Sequence, residues 1–162
     1  MTLYKVLRPG RVAPFSRLAW PGPGEWVEAD GVDPCHRGIH ACRLRHLPHW
    51  LGPELWEIEL DGELVEEGRK VVAPRGRLMR RVEAWDEAAA RSYIEACIRE
   101  ARTRAERSPE LAGYSPRPDR RAAVAGYIVA RLAELQDGVE GYEAERLRQA
   151  EWLAGELGLD GP

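Results

Sequence analysis

The hydrophobic pattern of this chain changes period once, near Trp85-Asp86, and that change constrains the fold most. Before it, apolar and polar residues alternate over short runs bounded by glycine and proline, the signature of strands and turns. After it, apolar residues recur every three or four positions over long stretches, the signature of amphipathic helices. Residues 3–8 read as a strand stopped by Pro9-Gly10, followed by a proline-rich loop to Gly24. Further strands are expected at 25–29, 38–42, 55–60, 63–65, 69–73 and 77–83, with one short helix at 43–51. Asp61-Gly62 reads as a hairpin turn returning the chain through 63–65.

In the second half, Asp86 is a good N-cap for a helix carrying Ala90, Ile94, Cys97, Ile98, Ala101 and Ala105 inward. Asp119 is expected to cap a second helix with Val124, Ile128, Leu132 and Leu135 inward and Gly138 as its stop. A third spans about 140–157, with Leu147, Ala150, Leu153 and Leu157 inward and Trp152 at its edge. Strands first and helices after is the α+β order. The expected architecture is a mixed or antiparallel sheet of six or seven short strands with three C-terminal helices packed on it. At 162 residues this is one domain, mainly β over 1–85 and helical over 86–162.

The chemistry-bearing residues are concentrated between Cys35 and His49, which hold all four histidines and two of the three cysteines. If 38–42 is a strand, alternation puts His40 and Cys42 on one face and Ile39 and Ala41 on the other. Zinc is held by thiolates and imidazoles from turns and element ends, so Cys35, His40, Cys42 and His46 form a candidate set. His36 or His49 could replace the fourth ligand. The competing reading leaves His40 and Cys42 facing the core, with the remaining histidines as polar surface. A redox pair of Cys35 and Cys42 lacks the Cys-x-x-Cys spacing at a helix start. Cys97, on a buried stripe, is expected only to pack.

A second concentration is cationic: Arg69, Lys70, Arg75, Arg77, Arg80 and Arg81. With Trp50 and Trp56 as pocket walls, Arg77 and Arg80 are candidate ligand-binding residues for an anion or nucleotide. The alternative is a solvated sheet face offset by Glu57, Glu59, Glu63, Glu66 and Glu67. Glu57 and Glu59 also share a strand face, as acid/base pairs do. The net charge of −3 excludes the strongly basic surface that bulk nucleic-acid binding needs. No apolar run is long enough to span a membrane, no signal-peptide pattern opens the chain, and a cytoplasmic location is expected. No phosphate loop, nucleophile elbow or His-Glu-x-x-His helix is present.

The run Cys35-x-x-Gly38-Ile39-His40-x-Cys42, followed by Leu47-x-x-Trp50-Leu51 and Leu55-Trp56-Glu57-Ile58-Glu59-Leu60-x-Gly62, resembles an uncharacterised family of bacterial and phage domains. That family's centre reads Cys-x-x-Gly-x-His-x-Cys, and the resemblance covers roughly residues 3–83. The order of elements is also similar to the mono-ADP-ribosyltransferase fold, although the chain lacks a Ser-Thr-Ser motif. Three functions are therefore expected as alternatives. The first is a binding or interaction module around a zinc-holding Cys/His cluster, with a small molecule or protein as partner. The second, which the architectural likeness implies, is an NAD- or nucleotide-binding enzyme, and titration with NAD tests it. The third is a protein–protein adaptor, or a homo-oligomer, acting through the helical tail.

Overall fold

The computed structural model describes residues 2–33 and 36–160. Seven strands form one sheet: β1 (Leu3–Leu7), β2 (Val27–Glu28), β3 (Ile39–Arg43), β4 (Glu54–Asp61), β5 (Val65–Glu67), β6 (Lys70–Ala73) and β7 (Arg75–Arg81). Their order is β2-β7-β4-β1-β3-β6-β5, every neighbour antiparallel. This order forces the sheet to curl. Only Pro74 separates β6 from β7, so Ala73 and Arg75 lie within about 7 Å of each other. Yet β3, β1 and β4 intervene in the hydrogen-bonding order, a span of roughly 19 Å if the sheet were flat. The curl brings Ile39 of β3 against Gly76 of β7, where an added Cβ would meet Ile39 Cγ2 at 2.8 Å.

The sheet therefore has an inside and an outside. Inside are Leu7, Trp20, Ile39, Ala41, Trp56, Ile58 and Leu78. Outside, Tyr4, Cys42, Leu55 and Val82 join a second core with the helices, through Tyr93, Ile94, Cys97, Val129, Leu132 and Leu153. The expected alternation in β3 holds, with Ile39 and Ala41 inward and Cys42 outward.

The loop between β1 and β2 is drawn over the inside by Glu54. Its carboxylate accepts from Gly10 N at 2.8 Å, Arg11 N at 3.2 Å and the Trp56 indole at 3.1 Å. Burial pushes this carboxyl up, but those bonds outweigh it and hold the group below its ordinary value. Arg11 in turn pairs its carbonyl with Trp20 N at 2.9 Å, which seats the Trp20 ring in the interior.

Two readings of the strand half are corrected. β5 does not return on β4; it pairs with β6, because β1 and β7 already occupy both edges of β4. The short helix is a 3-10 helix over Leu44–His49, its tight turns compatible with Pro48.

The helical half contains α1 (Glu87–Arg107), a second 3-10 helix (Pro109–Tyr114) and α2 (Ala122–Leu157), giving four helical elements among the described residues. Asp86 caps α1 as expected, its side chain accepting from Ala89 N at 2.8 Å. Asp119 does not cap α2, whose N-cap is Arg121 without a side-chain bond. The two expected tail helices run on as α2, bent at Gly138 (φ 72°, ψ −163°), where only a residue without Cβ is at ease. The inward stripe of the first segment is also rotated. Val124 and Leu135 are exposed, while Ala122, Ala125, Gly126, Val129, Leu132 and Ala133 are buried. Small residues let α2 approach closely enough for Tyr93, Gln149 and Arg146 to crowd the Gly126 position, and that gain outweighs burying the larger side chains.

Candidate functional site: a cationic and aromatic face around Tyr142

The predicted metal ligands part company in the fold. Cys35 lies outside the described residues. Cys42 is 4% exposed in the outer core, where burial pushes its thiol up to about 12. His40 is half-buried with Nδ1 3.0 Å from Gly38 O; burial lowers its pKa, and Lys5 and Lys70 lower it further. His46 is likewise lowered by burial and then by Arg45 and Arg69. His36 sits on an exposed turn, 3.4 Å from Asp33. Among the described residues no group of three or more His, Cys, Asp or Glu side chains is placed to hold a metal ion. A cation seated between His40 and His46 would also meet the charges of Lys70, Arg45 and Arg69, and like charge opposes it. Elemental analysis of tag-free protein decides the zinc reading directly.

The histidines instead belong to a cluster whose hub is Tyr142 on α2, which the sequence reading passed over. The Arg69 guanidinium lies 5.9 Å from its ring centroid and that of Arg146 5.4 Å away, while the His49 ring is 6.3 Å distant. His46 stands 6.4 Å beyond His49. Beside them Lys70 Nζ sits 5.5 Å over the Trp50 ring, and the buried Trp50 indole N–H has no acceptor. These groups converge because α2 packs along the first 3-10 helix, and because the β5–β6 turn delivers Arg69 and Lys70 to the same place. Among the described residues, the one ion pair within the cluster is the 3.7 Å contact of Arg69 with Glu143.

Arg146 makes the charge balance unusual. It is 3% exposed, yet its bonds go to neutral acceptors: Gln149 Oε1 at 3.0 Å, the Tyr142 hydroxyl at 3.4 Å and Pro48 O at 3.5 Å. The neighbouring Glu145 carboxylate is held by Arg104, Arg148 and Gln149. A buried guanidinium without an ion-pair partner is costly, and the Tyr127 and Tyr142 rings offset only part of that cost. The field is felt by His49, whose pKa is lowered to about 3 by burial first and then by Arg146, Arg69 and His46. At neutral pH this face is a set of donors and positive charges with a neutral imidazole at its centre.

Acid should therefore weaken the fold. With its folded pKa below the unfolded 6.5, His49 binds a proton more readily when unfolded, so stability falls as pH drops from about 6.5 toward 3. Urea titrations across that window should show His49→Gln losing less stability than the parent. Parallel curves would remove His49 from the acid response.

The other predicted ligand residues do not converge with this face. Trp56 is inside the sheet, on the side opposite Trp50, with its indole bonded to Glu54. Arg77 pairs with Glu59 at 2.7 Å and lies over Trp26 at 4.6 Å. Arg80 pairs with Glu57, and Arg75 with Asp61 at 3.2 Å. The offset of strand arginines by neighbouring acids thus holds for these three, and it ties up Glu57 and Glu59 as well. Arg69 and Lys70 are instead drawn to other elements, Arg69 to Tyr142 and Glu143 and Lys70 to Trp50.

No protein-family model matches the chain, and neither a curated protein nor a solved structure matches it. No helix among the described residues is long and apolar enough to cross a membrane.

Proposed function

We propose that this chain is a binding module for an anionic small molecule bearing phosphate groups, taken up on the Tyr142 face. The observation that carries this reading is Arg146, a buried guanidinium whose hydrogen-bond partners among the described residues are all neutral, beside further donors. A phosphate brings several acceptor oxygens and negative charge together, which complements Arg69, Lys70, His46 and the Trp50 indole N–H beyond the 3.7 Å contact that Arg69 already makes with Glu143. Trp50 and Tyr142 add flat faces on which a planar ring can stack. A bound anion would offset the charges of Arg146 and Arg69 that His49 feels, while burial continues to favour its neutral imidazole.

Calorimetric titration with inorganic pyrophosphate, with ADP and NAD in parallel, tests this. Pyrophosphate binding should weaken as salt is added, because the attraction between opposite charges is screened. Arg69→Gln, at a half-exposed side chain, should cost roughly tenfold in affinity while leaving the thermal midpoint near the parent's. Absence of heat and of any thermal shift at millimolar pyrophosphate, ADP and NAD would end the proposal. NAD binding without pyrophosphate binding would favour the dinucleotide enzyme instead.

A further inference from the structure

A different group stands inside the curled sheet. Lys5 lies on β1, the middle strand, between Leu3 and Leu7 and on their side, so its chain enters the inner core. Its cross-strand neighbour on β4 is Trp56, and the β1–β3 register of Tyr4 with Cys42 sets it beside Ala41. The amine donates to His40 O at 2.6 Å and lies 5.0 Å from the Trp20 ring centroid. It has no ion-pair partner among the described residues. Burial holds it down to about 8, within reach of the neutral form at physiological pH. Trp20, seated over the same interior, is 4% exposed, and its indole N–H has no acceptor.

Two donors thus stand against the inner apolar core: a main-chain carbonyl accepts from one, and among the described residues no acceptor serves the other. A bound molecule carrying an oxygen would satisfy the second donor, and an electrophilic carbon beside that oxygen would meet the first. We propose that Lys5 is the nucleophile of a second ligand site, inside the curled sheet, that takes small aldehydes or ketones as an imine. The lone pair of Nζ attacks the carbonyl carbon, forming the C–N bond, and the carbonyl π pair moves to oxygen. One of the two nitrogen protons moves to that oxygen, giving a neutral carbinolamine. The hydroxide then leaves and takes the remaining nitrogen proton to become water, and the nitrogen lone pair closes the carbon–nitrogen double bond. The net change is amine plus carbonyl to imine plus water, with no oxidant or reductant. The site is independent of the Tyr142 face, since it lies on the other side of the sheet.

The chain itself supplies the control, because Lys5 and Lys70 are its only lysines. The folded full chain is treated with acetaldehyde and cyanoborohydride at pH 7.5, where hydride reduces an imine to a stable N-ethyl lysine. Peptide mass spectrometry then follows both positions in time. Lys5 should be ethylated about tenfold or more faster than Lys70, and 8 M urea should abolish the preference. Equal rates, slower reaction at Lys5, or a preference that survives urea would each overturn the proposal. No variant is needed, so a fold that fails without Lys5 does not cloud the result.

Discussion

Glu145→Ala is expected to lower the unfolding free energy by about 3 kcal/mol or more, the cost of breaking a buried ion network by removing one partner. Glu145 is 1% exposed and accepts from Arg148 at 2.7 and 2.8 Å, from Gln149 Nε2 at 2.8 Å and from Arg104 at 3.4 Å. Arg104, itself 8% exposed, also reaches Glu100 at 3.0 Å, Gln136 at 3.0 Å and Asp137 at 3.6 Å. The network therefore ties α1 to both limbs of the bent α2. Without Glu145, Arg148 loses its carboxylate in a half-buried setting, and Arg104 loses its fully buried carboxylate partner while keeping Glu100, Gln136 and Asp137. Urea denaturation should show the midpoint falling with little change in slope. The double variant Glu145→Ala with Arg148→Ala should recover part of the loss, since the orphaned charge goes too. A single variant within about 0.5 kcal/mol of the parent would show that the network contributes register, not stability.

Gly141→Ala is the second large effect, at about 2–3 kcal/mol from overpacking. A Cβ at Gly141 would stand 2.6 Å from Ala133 O and 2.7 Å from Asp137 Cβ, across the bend at Gly138. A main-chain oxygen inside a helix cannot swing aside, so the bend itself must open. Opening it displaces Tyr142, the next residue, from Arg69, Arg146 and His49. Pyrophosphate affinity should therefore fall together with stability. Gly155→Ala is the control on the same helix: nothing lies within 4 Å of its Cβ, and the change should be neutral or stabilising by up to about 1 kcal/mol. If the two alanines behave alike, the bend is not sterically set.

Much of the fold was legible locally. The strands at 3–7 and 54–61, the Asp86 cap and the break at Gly138 each follow from a pattern within a few residues: alternation, an acceptor before a helical run, a residue without Cβ. Errors arose where a distant element decided the outcome. Glu63-Leu64-Val65 looks like a hairpin return until β7 comes back to claim the free edge of β4. Val124 and Leu135 look like core until Gly126 and its alanine neighbours set the contact face instead.

The site divides in the same way. From residue types alone, the stretch containing His46, His49 and Trp50 stands out, and Arg69 and Lys70 belong to a recognisable cationic run. Tyr142 and Arg146 carry no local signal, being an ordinary tyrosine and arginine on an acidic helix. Histidine near cysteine reads equally well as a metal ligand or as a neutral imidazole, because the residue does not encode the charges that will surround it. Those charges come from α2 and the β5–β6 turn, far away in the chain, and they favour an anion at His49 over a cation. By itself the sequence determined the element types, the α+β order and the region where chemistry is concentrated, since these depend on short-range periodicity and composition. The tertiary structure alone decided the curl that leaves Lys5 half-buried against the inner core and the sign of the field at the histidines, since both arise from groups brought together across the whole chain.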